Sequence, residues 1–277
     1  MPSGSPYLVL APEEHAVLGE SDFGMPGLTA LESIGPFVRI EASGPLITVH
    51  DSTIDARLGI GHHPHRYNER LFYIEQGELD HDDALNGIRG HMDTGDVGQF
   101  TEGQRGMIHK EWNNGDTDTR AYILVYTTDP VPAATRFGTL ADADAPRYDE
   151  GEGVATKELV GRRSPLRVNG DIRLFTDSTL EPGARLTLRA GSDEGGVLSV
   201  REGSVRIDAG SATDGPPTDP LGPGTTVVVP VAAEERDLQV RAEERSRVIR
   251  VVHGPGHGFV HHEVPRYPRR SARSPSE

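Results

Sequence analysis

Residues 63–111 read HPHRYNERLFYIEQGELDHDDALNGIRGHMDTGDVGQFTEGQRGMIHKE, a series of short apolar or alternating runs broken by glycine. RLFYIEQGELDHDD predicts two strands turning near Gln76-Gly77, and Asn86-Gly87 is a short hairpin signal. TGDVGQF supplies a further strand. At the two ends of the stretch lie His63-Pro64-His65 and His109-Lys110-Glu111. Residues i and i+2 of a strand project from one face. Two such pairs on neighbouring strands of one barrel would gather three imidazoles and a carboxylate around one point. That donor set suits a divalent transition metal such as Fe(II), Mn(II), Ni(II), Cu(II) or Zn(II), with positions left open for substrate or O₂. A single His-x-His pair is most often structural or exposed. The second pair, and the hairpins between the two, carry the ligand reading.

Working outward, the same punctuation continues. PFVRIEA, PLITVH and ARLGIG precede the stretch and RAYILVYTTD follows it. Strand signals resume in DIRLFTD, ARLTLRA, GVLSVREGSVRID, TTVVVPV, DLQVRA and RVIRVVH. With 33 Gly and 21 Pro in 277 residues, the chain favours short strands and turns over long helices. The first thirty or so residues read as an irregular arm. Residues 140–165 are polar and read as an interdomain connection with room for one helical turn. The organisation expected is all-β, with two tandem barrels: residues 1–145, with the arm and the metal, and residues 146–277, ending in a basic, disordered tail from about 266.

A repeat supports two similar halves. Shifted by 126 residues, Asp51-Ser52-Thr53 falls on Asp177-Ser178-Thr179, and LFYIEQGELD at 71–80 falls on VLSVREGSVR at 197–206, with Gly77 on Gly203. The same shift carries His63 and His65 to Arg189 and Gly191, and His109 falls near Leu238. None of these is a useful ligand, so the second barrel is expected to be structural or a partner surface.

Composition bounds the function. The net charge of −15 argues against direct nucleic-acid or anionic-membrane binding. There is no cysteine, so any metal must sit on nitrogen and oxygen. No apolar run approaches the length of a membrane span, and the N-terminus lacks a signal-peptide pattern, so a cytoplasmic location is expected.

Residues 63–111 resemble the signature region of the pirin family, which are bicupins. The shared features are the HPHR start, a Glu four residues after the second His, a tyrosine-containing strand ending in Gly, an H-x-D turn, a G-D-V segment and the closing G-x-x-H-x-E. The resemblance implies cupin barrels, a monomer, and metal ligands at His63, His65, His109 and Glu111, with iron the leading ion. It departs where pirins usually have Gly and this chain has Tyr67, at Glu102 in Thr101-Glu102-Gly103, and at Lys110. In the wider cupin superfamily a Glu shortly after His-x-His also ligates. This makes Glu69 an alternative ligand, although pirin likeness favours Glu111 and leaves Glu69 behind the ligands or in the core. His62 is expected on the opposite strand face, His81 and Asp83 in a turn, and His91 in a loop. His253, His257, His261, His262 and Glu263 are expected in a solvated segment.

The leading function implied by the resemblance is a quercetinase-type dioxygenase that opens a flavonol or related small aromatic with O₂. Glu111 would be the catalytic base. The alternative is a non-enzymatic iron-binding regulator acting through protein partners. A cupin with other small-molecule chemistry, such as an isomerase, is a third reading.

Overall fold

The computed structural model describes residues 7–208 and 219–256. In chain order its strands are β1 (Leu8–Leu10), β2 (Ala16–Leu18), β3 (Leu28–Ile34), β4 (Leu46–Ile54), β5 (Gly59–His65), β6 (Asn68–Gln76), β7 (Glu78–Asp83), β8 (Ile88–Asp93), β9 (Val97–Thr101), β10 (Met107–Trp112), β11 (Thr119–Thr127) and β12 (Arg136–Leu140). They continue with β13 (Arg147–Gly151), β14 (Val154–Val160), β15 (Ile172–Leu180), β16 (Arg185–Ala190), β17 (Glu194–Glu202), β18 (Val205–Ile207), β19 (Thr226–Ala232), β20 (Arg236–Ala242) and β21 (Ser246–His253). The fold is all-β, as two tandem cupin-type barrels. In the first, a seven-stranded sheet ordered β12-β9-β6-β11-β4-β3-β2 packs on the four-stranded β5-β10-β7-β8. In the second, β1-β19-β17-β21-β15-β14-β13 packs on β16-β20-β18.

The two large sheets also pack against each other. Leu71 and Tyr73 of β6 and Leu124 and Tyr126 of β11 share one core with Phe175, Val197, Ile249 and Val251 of the second half. Phe72 and Ile74 face the other way, into the first barrel. A strand covered on both faces has no solvent side, which is why LFYI reads as a continuous apolar run instead of an alternation. The parity of β6 is therefore fixed. Even-numbered residues enter the first barrel and odd-numbered ones meet the second half.

The repeat is structural. β3, β4, β5 and β6 begin 126 residues before β14, β15, β16 and β17. One device recurs with them. Gly35 and Gly161, at φ 151° and 154°, each leave room for a folded-back carboxylate. Glu32 accepts the Phe37 amide at 2.8 Å, and Glu158 accepts the amides of Arg163 and Ser164.

Several local expectations are corrected. The supposed irregular arm holds β1, β2 and a short helix, Glu20–Phe23, and β1 pairs antiparallel with β19 of the second half. Residues 140–165, expected as a connection with one helical turn, also carry strands. They contain a 3-10 turn and the β13–β14 hairpin at the edge of the second large sheet. Gly77, at φ 81°, turns the chain from one sheet of the barrel into the other, since β6 and β7 do not pair. β7 and β8 do form the hairpin signalled by Asn86-Gly87. His91 lies in β8 beside Asp80 and Asp93. His253 is not solvated. It is buried in β21 and hydrogen-bonds Ser43 at 3.0 Å. His257, His261, His262, Glu263 and the basic tail lie outside the described residues.

Candidate metal centre

β5 and β10 pair antiparallel with His109 opposite His63 and Met107 opposite His65. Beyond His63 the register slips by one, so that Glu111 faces Ile60. The extra residue on β5 lies in Gly61-His62, and this bulge re-aims the strand end. It frees the Gly61 carbonyl, which accepts a hydrogen bond from His63 Nδ1 at 2.8 Å. His62 is exposed.

The bulge also corrects the match to the second half. Before it the offset is 126 residues and from it to the end of β5 it is 125, because β16 lacks the extra residue; by the start of β6 it is 126 again. Leu188 opposite Leu238 takes the place of His63 opposite His109. Ala190 and Val240 take the places of His65 and Glu111. Arg189 and Gly191 are therefore not the structural counterparts, but the replacements are equally devoid of donor atoms and are buried in the second barrel's core.

In the first barrel the three imidazoles converge. Their ligand atoms lie within 4.8 Å of one another, with ring centroids 4.6–5.0 Å apart. Glu111 Oε1 lies 3.3 Å from His109 Nε2, and Oε2 lies 3.7 Å from His63 Nε2. His109 and Glu111 are fully buried. Burial pushes His63 down to about 4 and drives His65 and His109 well below the usual imidazole range. It raises the Glu111 carboxyl to about 7. The imidazoles are thus neutral and keep lone pairs. His109 Nε2 and Glu111 Oε2 are buried with no hydrogen-bond partner. Orphaned donors of this kind, pointed at one another, fit a divalent cation.

The surrounding contacts include residues that the linear motif did not bring forward. His81, expected in a turn, is a buried residue of β7 whose Nδ1 lies 3.4 Å from His109 Nδ1. It stacks on Phe137 at 4.7 Å and meets Phe100 edge-on. Asp83 does shape the turn, accepting the Leu85 and Asn86 amides. Arg70 points into the barrel, with Nη2 2.6 Å from His65 Nδ1 and Nε 2.7 Å from Glu102 Oε1. Glu102 also accepts the Asn68 amide. Arg70 shares the β6 face of Phe72 and Ile74, a parity that the continuous apolar run hides in the sequence.

The same parity turns Glu69 away. Its carboxylate accepts Tyr126 Oη and Thr101 Oγ1, both at 2.7 Å, the Asn169 amide at 2.8 Å, and the Asn169 side chain. Glu69 is a buried knot between the halves, on the β6 face that turns away from the three imidazoles. Tyr67, where pirins usually have Gly, keeps a glycine-like φ of 82° with Arg66 over its ring. Lys110 is on the outer side, 3.9 Å from Asp82.

A family model described as Pirin matches residues 20–125. Pirin-1 of Arabidopsis thaliana is 31% identical over 51% of this chain and 50% of its own length. Quercetin 2,3-dioxygenase of Escherichia coli is 26% identical over 47% of this chain and 54% of its own. The chain thus spans about half the length of these two relatives. Among solved structures, the bacterial pirin YhhW of Escherichia coli in complex with nickel(II) superimposes with a TM-score of 0.72 at 16% identity, covering 90% of this chain and 99% of that one. Among the described residues, no helix is long and apolar enough to cross a membrane.

Proposed function

The chain belongs to the pirin family of cupins, and from that premise we propose that it is a metal-dependent dioxygenase opening a flavonol or related small aromatic with O₂. The observation that carries this reading is the convergence of three neutral imidazoles, His109 fully buried and His63 and His65 partly so, beside the buried Glu111 carboxylate. His63, His109 and Glu111 would hold the ion, with His65 as the fourth candidate ligand and Fe(II) favoured over Mn(II), Ni(II), Cu(II) or Zn(II). Such an ion supplies Lewis-acid polarisation of a substrate hydroxyl and, as iron, a redox-active centre. Two relatives bear on this. One is named a quercetin 2,3-dioxygenase, and the other was solved with nickel(II).

The protein's own part is positional and protic. The bulge at Gly61-His62 and the β5–β10 register aim the imidazoles. Burial raises the Glu111 carboxyl to about 7 in the metal-free chain; deprotonated beside the ion, it would be placed to take the substrate hydroxyl proton. Phe100, 5.8 Å from His109, belongs to the buried apolar cluster of the first barrel with Met92 and Met107, which lowers the local dielectric around these charges.

The test is aerobic incubation of purified protein with Fe(II) and quercetin. Loss of the flavonol absorbance with release of carbon monoxide is expected. If Fe(II), Mn(II), Ni(II) and Cu(II) all fail to support turnover in metal-loaded protein, the catalytic reading falls. An iron-binding regulator with a protein partner then becomes the better account.

A further inference from the structure

We propose that Arg70 holds His65 off the metal in the resting chain, so that His63, His109 and Glu111 form the primary ligand set and His65 is a conditional fourth ligand. The inference rests on the reading of the cluster as a metal site, but not on quercetin turnover. A ligating imidazole gives one nitrogen to the ion and must place its proton on the other, where an acceptor is needed. His63 meets this condition, because its Nδ1 faces the Gly61 carbonyl at 2.8 Å. His109 has a candidate acceptor in His81 Nδ1 at 3.4 Å, a long contact that would place the His81 proton on its unpartnered Nε2. His65 has none. Its Nδ1 faces Arg70 Nη2 at 2.6 Å, and a guanidinium only donates. Nδ1 is therefore the lone-pair nitrogen, and the ring proton sits on Nε2, where a metal bond would have to form.

Arg70 is not free to swing away cheaply. Its Nε is bonded to Glu102, a fully buried carboxylate that has the Asn68 amide as its second partner. Glu102 is one of the positions where the sequence departs from the pirin pattern, so the clamp belongs to this chain's own deviations. Full ligation by His65 requires the Arg70–His65 contact to break and the proton to move to Nδ1. The positive guanidinium beside the site also opposes a second cation in a region of low dielectric. Without His65, two imidazoles and one carboxylate remain, the donor set associated with non-haem Fe(II) and open coordination positions.

The test is Co(II) affinity of the purified, metal-stripped protein, measured by competition with a chromophoric chelator. His65→Ala is expected within about threefold of the parent protein, whereas His63→Ala and His109→Ala lose about a hundredfold or more, beyond the usual loss from an outer contact. In Arg70→Gln/Glu102→Gln the amide oxygen can accept from His65 Nδ1, so binding tightens by about tenfold, and adding His65→Ala removes that gain. Arg70→Lys keeps a donor and a charge and binds like the parent. If His65→Ala costs as much as His63→Ala, the proposal is overturned. It is also overturned if the folded double variant binds no tighter. Should the double variant fail to fold, the comparison of single histidine variants decides alone. A parent protein that binds no Co(II) brings down the metal reading and this inference together, while an inactive but Co(II)-binding protein leaves the inference intact.

Discussion

The Glu111 carboxylate lies 3.3 Å from His109 Nε2 inside the first barrel, and neither that nitrogen nor Glu111 Oε2 has a hydrogen-bond partner. Burial raises Glu111 to about 7, while His63 is lowered to about 4. Above pH 5 the imidazoles are already neutral, so Glu111 is the group whose proton a cation must displace. Metal affinity is expected to climb by about tenfold per pH unit up to 7 and then level. Glu111→Gln should bind weakly with no such climb. Folding carries the opposite sign. The folded value lies above the ordinary 4.5, so this carboxyl's contribution to stability is full below 4.5 and is lost as pH rises through 7. Metal-free Glu111→Gln should therefore gain more in Tm, relative to the parent, at pH 8 than at pH 5. An equal gain at both values would contradict the assignment.

Glu69 separates a structural from a ligand role. Its carboxylate is saturated by Tyr126, Thr101 and Asn169, the last from the second half of the chain. Removing it strands those donors in a buried place. Glu69→Ala is expected to cost about 3 kcal/mol in urea unfolding while the folded protein retains its metal stoichiometry. Loss of bound metal at unchanged stability would return Glu69 to the coordination sphere.

Much of this was legible in the sequence, for identifiable reasons. The His63/His65 and His109/Glu111 pairs obey the strand period, and the repeat betrayed itself because turn glycines such as Gly77 and Gly203 cannot drift. What was hidden depends on which face of a strand is covered. Without knowing that β6 is buried on both sides, nothing in NERLFYIEQ tells that Arg70 enters the barrel and Glu69 leaves it. The apolar run removes the alternation that would have shown parity. The bulge at Gly61-His62 is hidden likewise, since it is visible only as a one-residue slip against β10. The β13–β14 strands escaped because β13 is a polar edge strand, and charge at an edge reads like a loop.

Tyr67 holds a φ of 82°, a region that side chains with a Cβ rarely adopt. Tyr67→Ala keeps that penalty and loses the Arg66 contact over the ring. Tyr67→Gly loses the contact but relieves the backbone. The glycine variant is expected to be more stable than the alanine variant by about 1 kcal/mol, read as a higher Tm. Equal Tm values would mean that the backbone at this position relaxes out of the left-handed region.

The seam between the halves predicts how the molecule unfolds. Glu75 of β6 bonds Arg201, which is 5% exposed, and lies 3.0 Å from Arg247. Asp177 accepts Tyr73 Oη at 2.6 Å and pairs with Arg247. These charges sit beside the apolar core that both large sheets share, so neither half can open without exposing the other's buried face. Glu75→Ala leaves Arg201 to Asp51 and Arg247 to Asp177, each guanidinium short of one buried acceptor, and should cost about 1–3 kcal/mol. Because β1 from the chain's start is stitched to β19, the loss should lower the Tm of the whole protein instead of releasing one barrel first. Calorimetry is expected to show one transition in both parent and variant, with calorimetric and van't Hoff enthalpies in agreement. Two resolved transitions in the parent protein would mean that the seam is weaker than its burial implies.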